Sequence, residues 1–216
     1  TGTLKLGAAV KTIGSWAFYL TKLTGLDLSG AISLVTIGDR AFSFTDITGM
    51  LVIPADVETI GNAAFSKTKL TGLHLSGATS LVTIGDNAFD YTEITGRLVI
   101  PAKVTAIGEY AFKATKLTGL DLSNATPLVS IGAYAFYQTN LEGKLVILAE
   151  VETIGRGAFQ STDITSLDLM KAASLAWIGA AAFYGTDIKG TIGTPFNLPA
   201  YIGNNAFPPG VTIVKV

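Results

Sequence analysis

Few side chains in this 216-residue sequence could do chemistry. The single histidine, His74, stands two residues before Ser76. A histidine that takes a serine proton while a carboxylate holds its other nitrogen would be hydrolytic machinery. The carboxylates at the equivalent repeat position are Asp27 and Asp121, each 47 residues away. In stacked coils that distance is two layers, about 9 to 10 Å, beyond hydrogen-bond reach. His74 therefore reads as an exposed repeat position. Asp39, Asn62, Asp86 and Glu109 also recur at one position and offer the oxygen ligands that calcium takes. The same column continues through Ala133 and Arg156 without disturbing the pattern, so it reads instead as a row of helix N-caps, each accepting a backbone N–H. There is no cysteine for a thiolate nucleophile, a disulfide or a zinc site, and Gly155-Arg156-Gly157 lacks the third glycine of a phosphate loop. The sequence implies no enzyme, no catalytic residue, no metal and no cofactor.

The elements that place these residues are repeats. Ile-Gly-x-x-Ala-Phe occurs nine times, with its phenylalanines at Phe18, Phe42, Phe65, Phe89, Phe112, Phe136, Phe159, Phe183 and Phe207, at steps of 23 or 24 residues. Self-similarity at that period is the signature of a solenoid. Ahead of each phenylalanine unit, alternations such as Leu26-Asp27-Leu28 and Leu51-Val52-Ile53 predict short strands with aliphatics inward and the central residue outward. Two coil types alternate, and the second carries one more residue before its strand, at Met50, Arg97, Lys144 and Thr191. The full repeat is therefore a 47-residue pair. Each Ile-Gly glycine reads as a tight turn, and the Ala-Phe that follows as a helical turn. The phenylalanines form the core ladder. After each repeated threonine, Lys22, Asp46, Lys69, Glu93 and Lys116 alternate in charge and predict a compensating surface ladder.

The repeat runs from end to end, so residues 1–216 read as one domain, with a degenerate coil and capping strand at 190–216. No cap is visible at the other end and the chain starts without methionine, which predicts a processed or excised piece of something longer. Apolar residues make up 49%, charged residues 14%, and the formal net charge is −1. That balance lacks the basic footprint of nucleic-acid or anionic-membrane binding. No apolar run reaches the length of a membrane span.

The stretch Ile53-Pro54-Ala55-Asp56-Val57-Glu58-Thr59-Ile60-Gly61-Asn62-Ala63-Ala64-Phe65-Ser66-Lys67-Thr68 resembles the unit of the BspA-like, treponemal-type leucine-rich repeats, Ile-Pro-x-x-Val-x-x-Ile-Gly-x-x-Ala-Phe-x-x-Cys, with threonine where that family has cysteine. The resemblance spans the chain. It implies an α/β repeat solenoid: a right-handed leucine-rich-repeat stack of about ten coils, with short parallel strands on one face and short helical turns or loops on the other. It also implies a secreted or cell-surface protein that acts in adhesion or protein binding, and it supplies no catalytic residues.

Function then rests on surfaces. On the strand face, Met50, His74, Arg97, Asp121 and Lys144 depart from small or apolar ladder residues and are the expected binding site, with Gly25, Gly72 and Gly119 leaving grooves beside them. Arg97 and Lys144 are also placed to form cross-strand pairs with Asp121. The loop side carries a secondary aromatic patch, Trp16, Tyr19, Tyr110, Tyr134 and Tyr137, suited to protein or glycan contact. The expected protein is a monomeric binding module with a protein or glycan ligand on the cell exterior. The alternative is a structural spacer or an engineered consensus scaffold with no ligand of its own.

Overall fold

The structure, a computed structural model, describes residues 2–194 and 199–215. It is a parallel β-solenoid of about ten coils. Each coil contributes a strand of three to six residues, a turn, a two-residue strand and a run of turns. The nine two-residue strands, from Thr12–Ile13 to Tyr201–Ile202, hydrogen-bond in sequence order into one parallel sheet. Alternation places Ile37, Ile60 and Ile84 inward, fully buried, and their threonines outward. At the end of the stack, Thr212–Lys215 pairs in parallel with Thr191–Thr194. Five residues of the 190–216 segment, 195–198 and 216, lie outside the described residues.

The nine phenylalanines form a continuous stack. Neighbouring ring centroids are 5.2 to 5.4 Å apart and within 9° of parallel. Phe42 to Phe183 have no exposed surface, while Phe18 and Phe207 at the ends are half-buried. Burying one such ring stabilises the fold by about 1.5 to 3 kcal/mol, so this ladder joins the coils into one core.

The helical turns predicted after Ile-Gly are not there: the described residues contain no helix. Backbone N–H groups alternate in direction instead. Ala17, Tyr19 and Thr21 donate back three residues, to Gly14, Trp16 and Phe18, while Trp16, Phe18 and Leu20 donate sideways to Asp39, Ala41 and Ser43 of the next coil. Two residues per coil pay for this by taking positive φ, Trp16 (64°) and Leu20 (58°) in the first and Tyr110 (56°) and Ala114 (54°) in the fifth. Positive φ at the third residue of a four-residue turn is the mark of a type II turn. Cross-coil bonds made with the flat, stackable turn replace the i→i−4 bonds a helix would have made.

Two further expectations change. The Ile-Gly glycines are not at positive φ; they are required by close approach, since a Cβ on Gly38 would lie 2.6 Å from the Ser15 nitrogen of the preceding coil. The surplus residue of the longer coil is not Met50, Arg97 or Lys144, which pair in register with Gly72, Gly119 and Ser166. The unpaired residues are Thr71, Thr118 and Thr165 of the other coil type, where the register jumps. The long strands pair only two by two, in five two-stranded sheets, Thr48–Val52 with Lys69–His74 and Thr95–Val99 with Lys116–Asp121 among them, and the slip lies within a pair. A seam therefore opens at every second coil.

Candidate functional site

The strand face carries all five predicted residues, and register places them in two adjoining columns: Met50 beside Gly72, Val52 beside His74, Arg97 beside Gly119, Val99 beside Asp121, Lys144 beside Ser166. The glycines do not leave grooves. The Met50 thioether folds over Gly72, and the Arg97 stem lies 3.3 to 3.4 Å from where a Gly119 Cβ would stand. The Arg97 guanidinium reaches Asp121 at 2.8 Å, as the cross-strand reading expects. Lys144 does not join them; its ammonium pairs with Asp168 at 2.7 Å, because Lys144 aligns with the following strand.

Both acids are held from two sides. Asp121 accepts the Ser123 N–H at 2.9 Å and Asp168 the Met170 N–H at 2.9 Å. Hydrogen bonds from Ser123, and then the Arg97 charge, hold the Asp121 carboxyl below its ordinary range; Lys144, then the Met170 N–H, does the same for Asp168. The pairs are solvent-facing, so each stabilises the fold by no more than about 1 kcal/mol. Their effect is to fix the cations in place.

His74 is exposed and its Nε2 lies 2.9 Å from the Ser76 hydroxyl, but among the described residues no carboxylate bonds to its ring. The acidic column behaves in a way the sequence half-indicated. Asp39 accepts the Asn62 N–H, Asn62 the Asp86 N–H, and Asp86 the Glu109 N–H, at 2.7 to 2.8 Å. These residues do cap backbone donors, but those of the next coil, not of a helix. Among the described residues, no three His, Cys, Asp or Glu side chains are placed to share a metal ion.

The aromatic patch divides. Trp16 packs edge-on against Tyr19 at 4.8 Å with Arg40 over its ring, and Tyr110 stacks on Tyr134, which meets Tyr137 edge-on. Lys67 lies over Phe44 and Tyr91, and Lys113 over Tyr91, Tyr110 and Tyr137. Cations thus already occupy much of this surface. Tyr110 and Tyr134 are half-buried and present ring edges, since stacked faces are covered by their neighbours.

Three concave features lie at the seams, which sequence reading missed. The first groove, about 320 Å³, is lined by Leu28, Ile32, Val52 and Pro54 and has no charged wall. The second, about 300 Å³, repeats it 47 residues on with Val99, Pro101 and Asn124. The third, about 340 Å³, has Val146 and Leu148 in the equivalent places but adds Arg97, Asp121, Lys144 and Lys171. Lys171 occupies the repeat position of Gly77 and Asn124, and that departure was the one signal available for it. Beside the first groove, Ile32, Met50 and Val52 are 66%, 63% and 53% exposed, so an apolar strip continues into the paired charges.

A family model described as "BspA type Leucine rich repeat region" matches the chain in six copies over residues 2–95 and 82–209. No curated protein matches it. Among solved structures, a leucine-rich repeat protein from Bacteroides ovatus ATCC 8483 aligns over 100% of this chain and 84% of its own, at 18% identity and a TM-score of 0.36. The family match therefore stands on the repeats themselves.

Proposed function

Because the chain belongs to the BspA-type leucine-rich-repeat family, we propose that it is a non-enzymatic binding module that recognises a protein through its strand face, in the manner of a secreted or surface adhesion protein. The observation that carries this reading is the strip from Ile32, Met50 and Val52 to the Arg97–Asp121 and Lys144–Asp168 pairs. Large apolar side chains there are more than half exposed, and they border charges held in fixed positions. Exposed apolar surface rimmed by ordered polar groups is the composition of a recognition patch. His74 and Asp121 sit within it, and Arg97 and Lys144 supply its cations. The aromatic–lysine surface on the opposite side is the secondary candidate, for protein or glycan. Its cations already lie on its rings, so a ligand must displace them.

The test is a binding screen of the purified chain against immobilised extracellular-matrix proteins and glycans at two salt concentrations. A saturable protein ligand, weakened by salt and by the double variant Arg97→Glu, Lys144→Glu, supports the reading. Binding that the double variant leaves unchanged removes the strand face from it. A blank panel favours a spacer without a ligand of its own.

A further inference from the structure

We propose that the three seam grooves together hold one acidic segment of a partner protein in polyproline II conformation, with an apolar side chain in the first groove, a proline or small apolar residue in the second and a glutamate or aspartate in the third. This rests on the reading of the strand face as the recognition surface and names the class of ligand it takes.

The spacing comes first. Equivalent lining residues, Pro54, Pro101 and Leu148, recur every 47 residues, which is every second coil. Paired strands lie about 4.8 Å apart and the seam step between pairs is unpaired, while stacked rings of successive coils lie 5.2 to 5.4 Å apart; the grooves therefore repeat at about 10 Å. A polyproline II segment advances about 3.1 Å per residue and repeats its faces every three residues, about 9.3 Å. The two periods stay within about 1 Å of each other from one groove to the next. An extended β-strand returns a side chain to one face about every 6.7 Å and falls out of step by the second groove. The anchors are thus residues i, i+3 and i+6.

Backbone chemistry agrees with the spacing. Polyproline II makes no internal hydrogen bonds and needs no ladder of partners. The first two groove walls carry Pro54 and Pro101, which have no N–H to offer a β-strand. An added strand would lose bonds at each of these positions.

Charge sets the direction. The first groove has no ionisable side chain in its wall; the third has Arg97, Lys144 and Lys171 against Asp121 and the Asp168 that pairs with Lys144. The Asp121 and Asp168 carboxylates each accept both a backbone N–H and a cation. Arg97 and Lys144 each keep further N–H donors, and Lys171 forms no ion pair among the described residues. The third groove is therefore short of negative charge, and an incoming carboxylate supplies it over the apolar floor of Val146 and Leu148.

The probe is a fluorescein-labelled, proline-rich dodecapeptide with leucine, proline and glutamate at i, i+3 and i+6, followed by fluorescence anisotropy with the full chain. Three comparison peptides carry the glutamate at i+5, a lysine in its place, or the same composition scrambled. Saturable binding by the first peptide, at least about tenfold weaker for each comparison and for Lys144→Glu and Lys171→Ala, is the expected result, that factor being what one lost charged contact costs. Lys171 makes no ion pair, so Lys171→Ala reports on the groove even should Lys144→Glu disturb Asp168. Equal binding of all four peptides, indifference to both lysine variants, or no saturable binding overturns the proposal. If a protein ligand from the screen is still lost on Arg97→Glu, Lys144→Glu while the peptides fail, the strand face stands and the polyproline segment falls. If neither responds, both fall.

Discussion

The Thr115 hydroxyl donates to the carbonyl oxygen of Phe112 at 2.9 Å, inside the core, and the same bond joins Thr to Phe three residues back in every coil from Thr21 to Thr186. It closes the last turn of each coil against the phenylalanine ladder. The threonine, where the related repeats carry cysteine, is the stronger donor of the two. Thr115→Val keeps the shape and removes the donor, and is expected to cost about 1 kcal/mol in equilibrium unfolding. No change in the denaturation midpoint would mean that the bond contributes nothing net.

Phe112 is fully buried between Phe89 and Phe136, at 5.4 and 5.3 Å. Phe112→Ala opens a cavity in a stack that cannot close without shortening the solenoid, and is expected to cost about 3 to 5 kcal/mol. A loss below about 1 kcal/mol would contradict a ladder that bears the load of the core.

Asp90 is 6% exposed and its Oδ1 has no hydrogen-bond partner among the described residues. Burial raises its pKa, with the Ser66 hydroxyl and the Lys67 and Lys113 charges pulling weakly the other way. A carboxyl that binds its proton more tightly when folded penalises the folded state above its native pKa and relieves that penalty as pH falls toward the unfolded value near 3.9. The equivalent position is Ser43 and Ser66 in the two preceding coils, both buried. Asp90→Ser is therefore expected to raise stability by about 1 to 3 kcal/mol at pH 7, with the gain shrinking as pH is lowered through the native pKa. Thermal melts of both proteins at neutral and acid pH measure it, and a gain that grows on acidification would refute the assignment. Asp121 and Asp168 act with the opposite sign: their lowered pKa values contribute stability above the unfolded value that is lost as pH falls through the native ones.

Ala114 has φ of 54°, in the slot where Gly185 stands three coils later at 74°. The left-handed region costs an alanine about 1 to 2 kcal/mol, and glycine's extra unfolded freedom returns about 0.5 to 1 kcal/mol of that. Ala114→Gly is expected to stabilise the fold by up to about 1 kcal/mol, against the usual direction of that exchange. Destabilisation in a urea titration would place the residue's methyl packing above its backbone strain.

Much of the fold was legible because a solenoid repeats by translation. Residues one period apart in the sequence are neighbours in space, so the phenylalanine core, the inward aliphatics of strands such as Leu51-Val52-Ile53 and the alternating charges of Lys22, Asp46 and Lys69 could be read as columns, though the two-residue Thr-Ile strands could not; Asp46 does lie between the two lysines, at 3.7 and 2.8 Å. The turns were not legible. Ile-Gly-x-x-Ala-Phe has the spacing of a helical turn, and what denies it a helix is the set of carbonyls on the next coil that take Trp16, Phe18 and Leu20. For the same reason Asp39, Asn62 and Asp86 were read as caps along one segment when they cap across coils. The five strand-face residues were placed on one surface correctly, but not the partner of Lys144, nor the filling of the glycine notches.

By itself the sequence determined the period, the pairing of coils into a 47-residue unit and the residues that face inward, since these follow from hydrophobic periodicity and from which side chains tolerate burial. Only the tertiary structure decided where the strand face opens. Thr71, Thr118 and Thr165 drop out of register, the strands pair two by two, and grooves form at the seams where Lys171 meets Arg97 and Lys144. Such a groove depends on which neighbouring strands pair and which do not. Pairing is set by which backbone groups meet, and a one-residue slip changes that while leaving the composition of every column as it was.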